Sequence, residues 1–472
     1  MKLNKRIITV MTAVLALFLV IVIYLTYFTI FRAGDIVNSS YNQRVWEKEE
    51  RILRGTIYDR RGTVLAQSEQ DGDSQKRIYP YGKLYAHTIG YNSRTYGKTS
   101  IELKFNSFLL KTQSVIDVLK KENNEKKEFG SGADLALTLD NGMTKLAAEL
   151  LGKDNGSVVA LNPVTGEVYC LYSNPSFDPN EDALTKNWDT LSGSSDAPFL
   201  SRVTQGLYAP GSTFKVISAA AGIKAGYQDF VTEDSGKTKI GGKEFKNAGE
   251  KAYGNIDMSD AIRYSSNVYF TELSEKIGND LLQKTADDFC ISTKIPFDIE
   301  TKAIKNKFGD LDSAHLASVA IGQGALQVTP LHMALTASAV ANGGVIMKPY
   351  IVEKAFYDGT NIIYKAPSDV LGEAINGETA NMLTEYMKAC VASGTGTAAR
   401  VSGVEVAGKT GTAENEREGK THAWFIGFAP ADNPQMALCV MKEYSGRGGG
   451  SVCAPVARRI ISYALENGLI KK

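Results

Sequence analysis

The sequence predicts an α+β fold whose sheet combines strands from early and late parts of the chain. Short runs in which apolar and polar residues alternate lie on both sides of a long middle region, and that region carries apolar residues at helical spacing. Strands at both ends with helices between them are typical of an α+β domain. The early runs are residues 135–140, 157–162 and 167–173, and the late runs are 404–412, 423–429 and 435–444.

The first element is a long apolar segment, residues 7–31, without a charged residue, a proline or a glycine. A helix of 25 residues at about 1.5 Å per residue exceeds a bilayer core of about 30 Å, so we predict a transmembrane anchor. A cleaved signal peptide is the alternative, but its apolar region would be shorter, and no small-residue cleavage site precedes Arg32. Basic residues before the anchor predict residues 1–6 in the cytoplasm and the rest of the chain outside the membrane. These basic residues are Lys2, Lys5 and Arg6.

Two units are predicted after the anchor. Residues 32–133 are polar and rich in tyrosine, and a charged and then glycine-rich stretch at 123–132 is typical of a linker. The second unit, residues 134–472, holds the strands described above and three further predicted elements. These are a helix at 141–151, a turn at 163–166 and a closing helix at 455–466.

Composition argues against two classes of function. The chain has 53 basic and 52 acidic residues, a net charge of +1, so no overall field attracts it to nucleic acid. Its cysteines lack C-x-x-C spacing, which argues against both a disulfide framework and a zinc site. Several of them lie in apolar runs, where a buried thiol is expected. The cysteines are Cys170, Cys290, Cys390, Cys439 and Cys453.

Candidate chemistry begins at residues 212–215, Ser-Thr-Phe-Lys, directly after a Pro-Gly pair. Apolar residues at helical spacing continue to Gly226, which places Ser212 in the first helical turn and Lys215 on the same face. The hydroxyl and the amine would then reach each other, and free N–H groups would face an oxyanion. A lysine acts as a base only when its pKa falls, through burial or a second cation such as Lys409. Alone, S-x-x-K is a weak signal.

A second candidate motif is Ser-Ser-Asn at 265–267. Ser265 and Asn267 cannot share one helix face, so a turn is expected between predicted helices at 258–264 and 268–277, the second ended by glycine. Asn267 could simply cap the second helix. Alternatively, Ser265 relays a proton to a leaving amine while the Asn267 amide holds the substrate. Taken alone, the capping interpretation is the stronger.

A third candidate motif is Lys409 followed by Thr-Gly-Thr at the end of a predicted strand. Thr410 and Thr412 would point to the same side, so both hydroxyls could bind one carboxylate. Gly411 leaves room close to the backbone, and a peptide could pair with the strand if the strand is a sheet edge. The N–H of Thr412 would join that of Ser212 in an oxyanion hole. The alternative is an ordinary strand end.

The three motifs in this order predict acyl transfer through a serine. A histidine-based triad is the rival chemistry, and it is poorly supported because no G-x-S-x-G sequence surrounds Ser212. The glycine-containing stretches 394–397 and 447–450 are interpreted as ordinary turns. The histidines of the chain are His87, His315, His332 and His422.

With these motifs the sequence resembles the class B penicillin-binding proteins, the membrane-anchored peptidoglycan transpeptidases of bacteria. The resemblance covers nearly the whole chain. Its most discriminating segment is 54–62, an R-G-x-x-x-D-R-x-G element of the non-catalytic pedestal domain that free-standing β-lactamases lack. Further similar segments are 97–109 with Glu102, 156–179, 321–324 with 328–330, and 423–428.

The resemblance implies a penicillin-binding transpeptidase fold, a mainly antiparallel sheet flanked by helices with a helical subdomain. A small pedestal domain at 32–133 and one transmembrane helix would precede it. The implied substrates are peptidoglycan stem peptides ending in D-Ala-D-Ala, and β-lactam antibiotics would acylate the same serine. No metal or cofactor is implied. The implied roles are Ser212 as nucleophile, Lys215 as base, Ser265 and Asn267 as relay and substrate contact, and Lys409, Thr410 and Thr412 as the carboxylate grip. Gly411 counts with the two threonines as a substrate-binding residue.

About a hundred residues between anchor and catalytic unit leave little room for a glycosyltransferase domain, so a polytopic membrane glycan polymerase is the implied partner. Two alternatives to a transpeptidase remain open. One is a D,D-carboxypeptidase or β-lactamase of the same fold. The other is a catalytically dispensable cell-wall scaffold or β-lactam sensor.

Overall fold

The structure is a computed structural model that describes residues 2–32, 52–72, 74–110, 130–357, 359–415 and 420–472. Short 3₁₀ helices lie at Gly82–Tyr85, Gly211–Phe214, Ala248–Glu250 and Thr397–Ala399, and a π-helical turn at Phe28–Arg32. The α-helices are α1 (Lys2–Tyr27), α2 (Ser100–Lys104), α3 (Asn106–Leu109), α4 (Asn141–Leu151), α5 (Glu181–Ser192), α6 (Lys215–Lys224), α7 (Met258–Tyr264), α8 (Asn267–Asp288), α9 (Ser313–Ala320), α10 (Pro330–Ala341), α11 (Gly377–Ser393), α12 (Gly449–Val452) and α13 (Ala454–Glu466).

The strands group into two larger sheets and several two-stranded ones. They are β1 (Ile52–Leu53), β2 (Ile57–Tyr58), β3 (Val64–Asp71), β4 (Ser74–Ile78), β5 (Asn92–Ser93), β6 (Gly97–Lys98), β7 (Gly130–Ser131), β8 (Asp134–Leu137), β9 (Gly156–Leu161), β10 (Val168–Asn174), β11 (Thr232–Asp234), β12 (Lys237–Ile240), β13 (Lys243–Lys246), β14 (Gly254–Ile256), β15 (Val345–Met347), β16 (Val352–Tyr357), β17 (Asn361–Lys365), β18 (Val370–Glu373), β19 (Ala407–Glu414), β20 (Thr421–Ala429) and β21 (Met436–Lys442).

A five-stranded antiparallel sheet forms the centre of the second unit, in the order β10-β9-β21-β20-β19. Early and late strands meet where Val159 of β9 pairs with Cys439 of β21, so the predicted mixing of the two ends is confirmed. The central strands are buried on both faces, because α10 covers one face while α4 and α13 cover the other. β19 is an edge strand, which meets the condition that the sequence analysis set for a peptide to pair with it. All five cysteines are buried.

Two of the predicted boundaries that differ from the structure have a clear local cause. The strand predicted at 404–412 begins only at Ala407, because Val401 and Val404 pair with each other in an isolated bridge. The helix predicted to end at Gly278 resumes after that residue, and Gly278 itself breaks α8 with φ 69° and ψ 174°. Glycine adopts such a conformation without the steric penalty that a Cβ would bring.

A six-stranded sheet, in the order β17-β16-β8-β2-β3-β4, spans the predicted boundary between the two units. β8 pairs in parallel with β2, which precedes the boundary, and antiparallel with β16, which follows it. The boundary at residue 133 stays a prediction, since strands from both sides share this sheet. Most of the linker predicted at 123–132 lies outside the described residues.

The pedestal region, described residues 52–110, is built around one buried carboxylate. Glu102 is 0% exposed, and it accepts hydrogen bonds from Arg54 Nε at 2.5 Å and Arg77 Nε at 2.8 Å. The Tyr79 hydroxyl donates to the same carboxylate at 3.2 Å. Burial alone would raise the pKa of Glu102, but the two guanidinium groups outweigh burial and lower the pKa.

α1 is the one described helix that is long and apolar enough to cross a membrane. The candidate span, Asn4–Phe31, has a mean hydropathy of 2.9 and packs against no other described part of the chain. It contains the whole of the apolar segment that the sequence analysis singled out.

We expect Glu102→Gln to lower the free energy of unfolding by about 3 kcal/mol, because two buried guanidinium groups lose their counter-charge. Urea denaturation of the detergent-solubilised chain at pH 7 measures the loss, with the exposed Glu69→Gln as control. A carboxyl group whose pKa is lowered in the folded state stabilises the fold at pH values above its ordinary pKa of about 4. This stabilisation is lost as the pH falls through the pKa of the folded state. The difference between variant and wild type therefore shrinks below about pH 4. Equal losses for both variants would contradict this account.

Candidate active site

Ser212 lies on the 3₁₀ turn Gly211–Phe214, which runs directly into α6. The sequence predicted an α-helical turn here. The turn is tighter because Gly211, at φ +55°, donates its N–H to Gly322 O at 2.9 Å and so ties the chain down just before the serine. Side chains three residues apart eclipse each other in a 3₁₀ turn, so Ser212 and Lys215 still lie on one side.

Glycines bring this turn against the edge strand β19. A Cβ on Gly211 would lie 2.5 Å from Thr412 O, and a Cβ on Gly411 would lie 2.9 Å from Pro210 O. Side chains at either position would force the turn and the strand apart. The contact places the half-buried Ser212 beside the backbone of Thr412, where the sequence analysis expected the paired N–H groups.

Lys215 is completely buried and reaches the second motif. Its Nζ donates to Ser265 O at 2.7 Å and to Asn267 Oδ1 at 2.7 Å, and Ser265 Oγ lies 3.4 Å away. Burial, and then the positive charge of Lys409, hold the pKa of Lys215 well below its ordinary value. A neutral amine has two N–H groups and one lone pair, so the two short hydrogen bonds leave the lone pair free to accept a proton.

Ser265 forms the turn between α7 and α8. It adopts a left-handed conformation, φ 61° and ψ 41°, that few non-glycine residues adopt. Lys409, which is also completely buried, donates from Nζ to Ser265 Oγ at 2.9 Å and to Thr410 O at 3.0 Å. Burial lowers the pKa of Lys409 to about 8. The Ser265 hydroxyl thus lies between two lysine nitrogens.

The capping interpretation of Asn267 is wrong. Ser266 is the residue that caps α8, because its Oγ accepts from Tyr269 N at 3.0 Å. The Asn267 side chain does not cap the helix but forms two other hydrogen bonds. Its Oδ1 accepts from Lys215, and its Nδ2 donates to Lys246 O at 2.7 Å. The amide therefore links the amine of Lys215 to the β13 strand.

The two threonines of the third motif differ in exposure. Thr410 is 6% exposed, whereas Thr412 is exposed at the rim of the site. Thr410 Oγ1 lies 2.6 Å from Thr395 Oγ1, on the turn at 394–397 that the sequence analysis had considered ordinary. Cys390 Sγ lies 3.4 Å from the same Thr395 hydroxyl. Thr395 is therefore a site residue that the sequence analysis missed, and its Gly-Thr-Gly setting carried no signal of this contact.

Sequence reasoning also missed Asp234 and Asn247, which lie behind the second motif. Asp234 accepts from Ser266 Oγ at 2.5 Å, and Asn247 Oδ1 accepts from Asn267 N at 2.7 Å. Asp234 is the last residue of β11 and Asn247 directly follows β13, and only the folded arrangement reveals their targets.

Among the described residues no histidine forms a hydrogen bond with Ser212, as the rival chemistry would require; His422 accepts instead from Tyr444 N at 3.4 Å. His87 and His332 are buried and hydrogen-bond to Pro198 O at 2.8 Å and Thr293 O at 2.9 Å. Burial lowers the pKa of each to about 4, so both stay neutral at pH 7. His315 is exposed on α9 and contacts Asp312.

Comparison with known proteins places this site in a family. The family model for the penicillin binding protein transpeptidase domain matches residues 156–462, and the model for the penicillin binding protein A dimerisation domain matches residues 54–130. The first match contains all three motifs. The second contains Glu102 and both of its arginine partners.

Relatives and solved structures agree with these matches. The peptidoglycan D,D-transpeptidase PbpA of Mycolicibacterium smegmatis is 30% identical over 98% of this chain and 100% of its own length. The structure of penicillin-binding protein A from M. tuberculosis, a ceftriaxone acyl-enzyme complex, has a TM-score of 0.81 and 28% identity, covering 89% of this chain and 100% of that one. The D,D-transpeptidase domain of a peptidoglycan glycosyltransferase from Eggerthella lenta has a TM-score of 0.80 and 30% identity, with coverage of 89% and 100%. The chain therefore belongs to the class B penicillin-binding proteins.

Proposed function

We propose that this chain is a peptidoglycan D,D-transpeptidase that cross-links stem peptides through an acyl-enzyme on Ser212. The observation that carries the proposal is the burial of Lys215, whose amine donates to Ser265 O and Asn267 Oδ1 while Lys409 holds the Ser265 hydroxyl. This arrangement supplies a base with a lowered pKa, a relay hydroxyl and a nearby cation, joined at Ser265.

In the acylation step, Ser212 Oγ attacks the carbonyl carbon of the penultimate D-Ala, and its proton passes to the lone pair of Lys215. Within the described residues the Ser212 hydroxyl has no hydrogen-bond partner, so the substrate does not have to displace one. The N–H groups of Ser212 and Thr412 stabilise the developing oxyanion. Such hydrogen bonds commonly tighten only when substrate is bound.

The tetrahedral intermediate then collapses as the C–N bond to the terminal D-Ala breaks. Ser265 gives its proton to the leaving amine and regains one from the Lys215 ammonium. The amine of a second stem peptide next attacks the ester carbonyl, returns its proton through the same route and frees Ser212. Lys409, already bonded to Ser265 Oγ, directs the hydroxyl proton of Ser265 away from itself.

The carboxylate of the terminal D-Ala is the group that the third motif binds. Lys409 provides the positive charge, and the hydroxyls of Thr410 and Thr412 donate to the carboxylate oxygens. Because β19 is a sheet edge, the substrate backbone adds to it as a strand, and Gly411 leaves space for this approach. β-Lactams carry an equivalent carboxylate and acylate Ser212 in the same way.

We further propose that α1 anchors the chain in the membrane with residues 1–6 in the cytoplasm. The basic residues ahead of the span support this orientation, and the exposed side chains of residues 4–27 support a helix within the membrane. A polytopic glycan polymerase in the same membrane is the proposed partner, because it would supply uncross-linked glycan strands beside the catalytic unit.

Ser212→Ala should remove both cross-linking of stem peptides and the covalent penicillin adduct, because the attacking oxygen is lost. Intact-protein mass spectrometry over a time course measures the adduct, with the exposed Ser192→Ala as control. A long-lived adduct on wild type and on the control is expected. Persistence of an adduct on Ser212→Ala, or rapid drug hydrolysis by wild type, would contradict the proposal.

The rate of acylation should follow a bell-shaped pH profile. It rises as Lys215, whose pKa is lowered, loses its proton, and it falls as Lys409 loses its proton near pH 8. In Lys409→Met the acid-side midpoint should rise by about one pH unit, because removal of a nearby positive charge makes protonation of Lys215 easier. Stopped-flow acylation by a chromogenic β-lactam measures both limbs. An acid-side midpoint that stays fixed in Lys409→Met would contradict the pairing of the two lysines.

The orientation is tested with epitopes fused ahead of Met1 and after Lys472 in separate chains. In intact spheroplasts, antibody should reach the C-terminal epitope and not the N-terminal one. The reverse pattern, or access to both, would overturn the proposed topology.

A further inference from the structure

Asp234, at the end of β11, is a buried carboxylate that the mechanism above leaves unused. It is 0% exposed, and no described lysine or arginine forms an ion pair with it. It accepts instead from Ser266 Oγ at 2.5 Å, from Asn247 Nδ2 at 2.8 Å to each oxygen, and from Gly236 N at 2.8 Å. A buried charge held by neutral donors is costly unless it serves the site around it.

The first consequence of these hydrogen bonds is orientation. Because both Asp234 oxygens accept from Asn247 Nδ2, the amide oxygen of Asn247 must face the other way. There it accepts from Asn267 N at 2.7 Å and from Val268 N at 3.3 Å. Asp234 thereby fixes the first backbone N–H groups of α8, and with them the position of Asn267.

Hydrogen bonds from Asp234 reach the second motif by two branches, one through Asn247 and the other through Ser266. Its hydroxyl donates to Asp234, so its oxygen is free to accept from Tyr269 N at 3.0 Å. The turn that carries Ser265 is therefore held at its following residue by the same carboxylate. Both branches end on the motif that binds Lys215.

The third consequence is electrostatic. Lys215 on α6 faces two other charged groups, Lys409 on β19 and Asp234 on β11, and the ring of Phe270 on α8 lies 5.7 Å from its Nζ. Burial and Lys409 lower the pKa of Lys215, whereas Asp234 acts in the opposite direction. Tyr253 also faces Asp234, and its hydroxyl is kept neutral because burial and then that carboxylate raise its pKa.

Acyl transfer requires Lys215 to become an ammonium after it takes the Ser212 proton. Two buried ammonium groups that share Ser265 would then repel each other strongly in a region of low dielectric. A carboxylate bonded directly to Lys215 would keep that lysine protonated and destroy its basicity. Asp234 avoids this problem because it is separated from Lys215 by the neutral Ser265–Asn267 turn.

We propose that Asp234 is a positioning residue for acyl transfer, which orients the Ser265–Asn267 turn through Asn247 and Ser266 and supplies the negative charge that Lys215 faces when it takes up the proton. This inference rests on the proposed acyl transfer through Ser212. It gives the Ser-Lys pair a third member, which stabilises the protonated base without touching it.

The test is the pH dependence of acylation of the detergent-solubilised full chain by a chromogenic β-lactam. In Asp234→Asn the plateau rate should fall about tenfold, as expected for loss of a charged hydrogen-bonding group. Its acid-side midpoint should move down by about one pH unit, because protonated Lys215 loses its counter-charge. This direction is opposite to the one expected for Lys409→Met.

A matched control is Asp257→Asn. Asp257 also caps a helix of this region, since its side chain accepts from Asp260 N at the start of α7, but it is exposed and has no bond to the second motif. Asparagine caps helices well. We expect this variant to keep the wild-type midpoint and a plateau rate within about twofold.

A double variant that moves the carboxylate to a neighbouring position should restore the acid-side midpoint. In the double variant Asp234→Asn with Ser266→Asp, the carboxylate moves across the 2.5 Å hydrogen bond to the other partner. The relocated carboxylate can still cap α8 and accept from the new amide at 234. The acid-side midpoint should return to the wild-type value, and this variant also tests the proposal if Asp234→Asn alone does not fold.

The outcomes distinguish a failure of the proposed function from a failure of the proposed role of Asp234. A wild-type chain that forms no adduct would remove the proposed function itself. A wild-type chain that is acylated normally, with Asp234→Asn unchanged or slowed equally at every pH, would overturn the role of Asp234 alone. Failure of the double variant to restore the midpoint would also overturn it.

Discussion

Two lysine side chains, Lys215 and Lys409, are completely buried and meet at the hydroxyl of Ser265. Burial disfavours the charged form of each, and each charge disfavours the other, so the pair is most stable when one lysine is neutral. Burial and the charge of Lys409 hold the pKa of Lys215 well below its ordinary value, and burial lowers that of Lys409 to about 8. A neutral amine that can take up the proton of Ser212 is what allows a serine hydroxyl, a weak nucleophile, to react.

The surrounding fold is arranged to bring those lysines together. Lys215 begins α6, Ser265 directly follows α7, and Lys409 lies on the edge strand β19, so three separate elements must be held in register. Close contacts between backbone segments hold these elements together at positions where only glycine fits. A Cβ on Gly322 would lie 1.9 Å from Gly211 O, and a Cβ on Gly449 would lie 1.9 Å from Trp424 O. Substitution at these positions would separate the turn, the strand and the loops that support them.

The chemistry of the site could be predicted from sequence where it depends on local spacing. Ser212 and Lys215 are three residues apart, and alternation along a strand puts Thr410 and Thr412 on one side. The contributions of Asp234 and Thr395 could not be predicted, because each depends on a contact between segments far apart in the chain. The pairing of β8 with both β2 and β16 was missed for the same reason. Local periodicity carries no information about such long-range partners.

The most direct test of this account is the protonation state of Lys215 itself. Titration of the side-chain nitrogen by NMR, on a chain labelled with ¹⁵N lysine and assigned with Lys215→Arg, would follow that one amine. We predict a Lys215 amine that is neutral at pH 7, while Lys409 remains charged and titrates near pH 8. A Lys215 signal that stays protonated up to about pH 10, the ordinary range for lysine, would contradict the central claim.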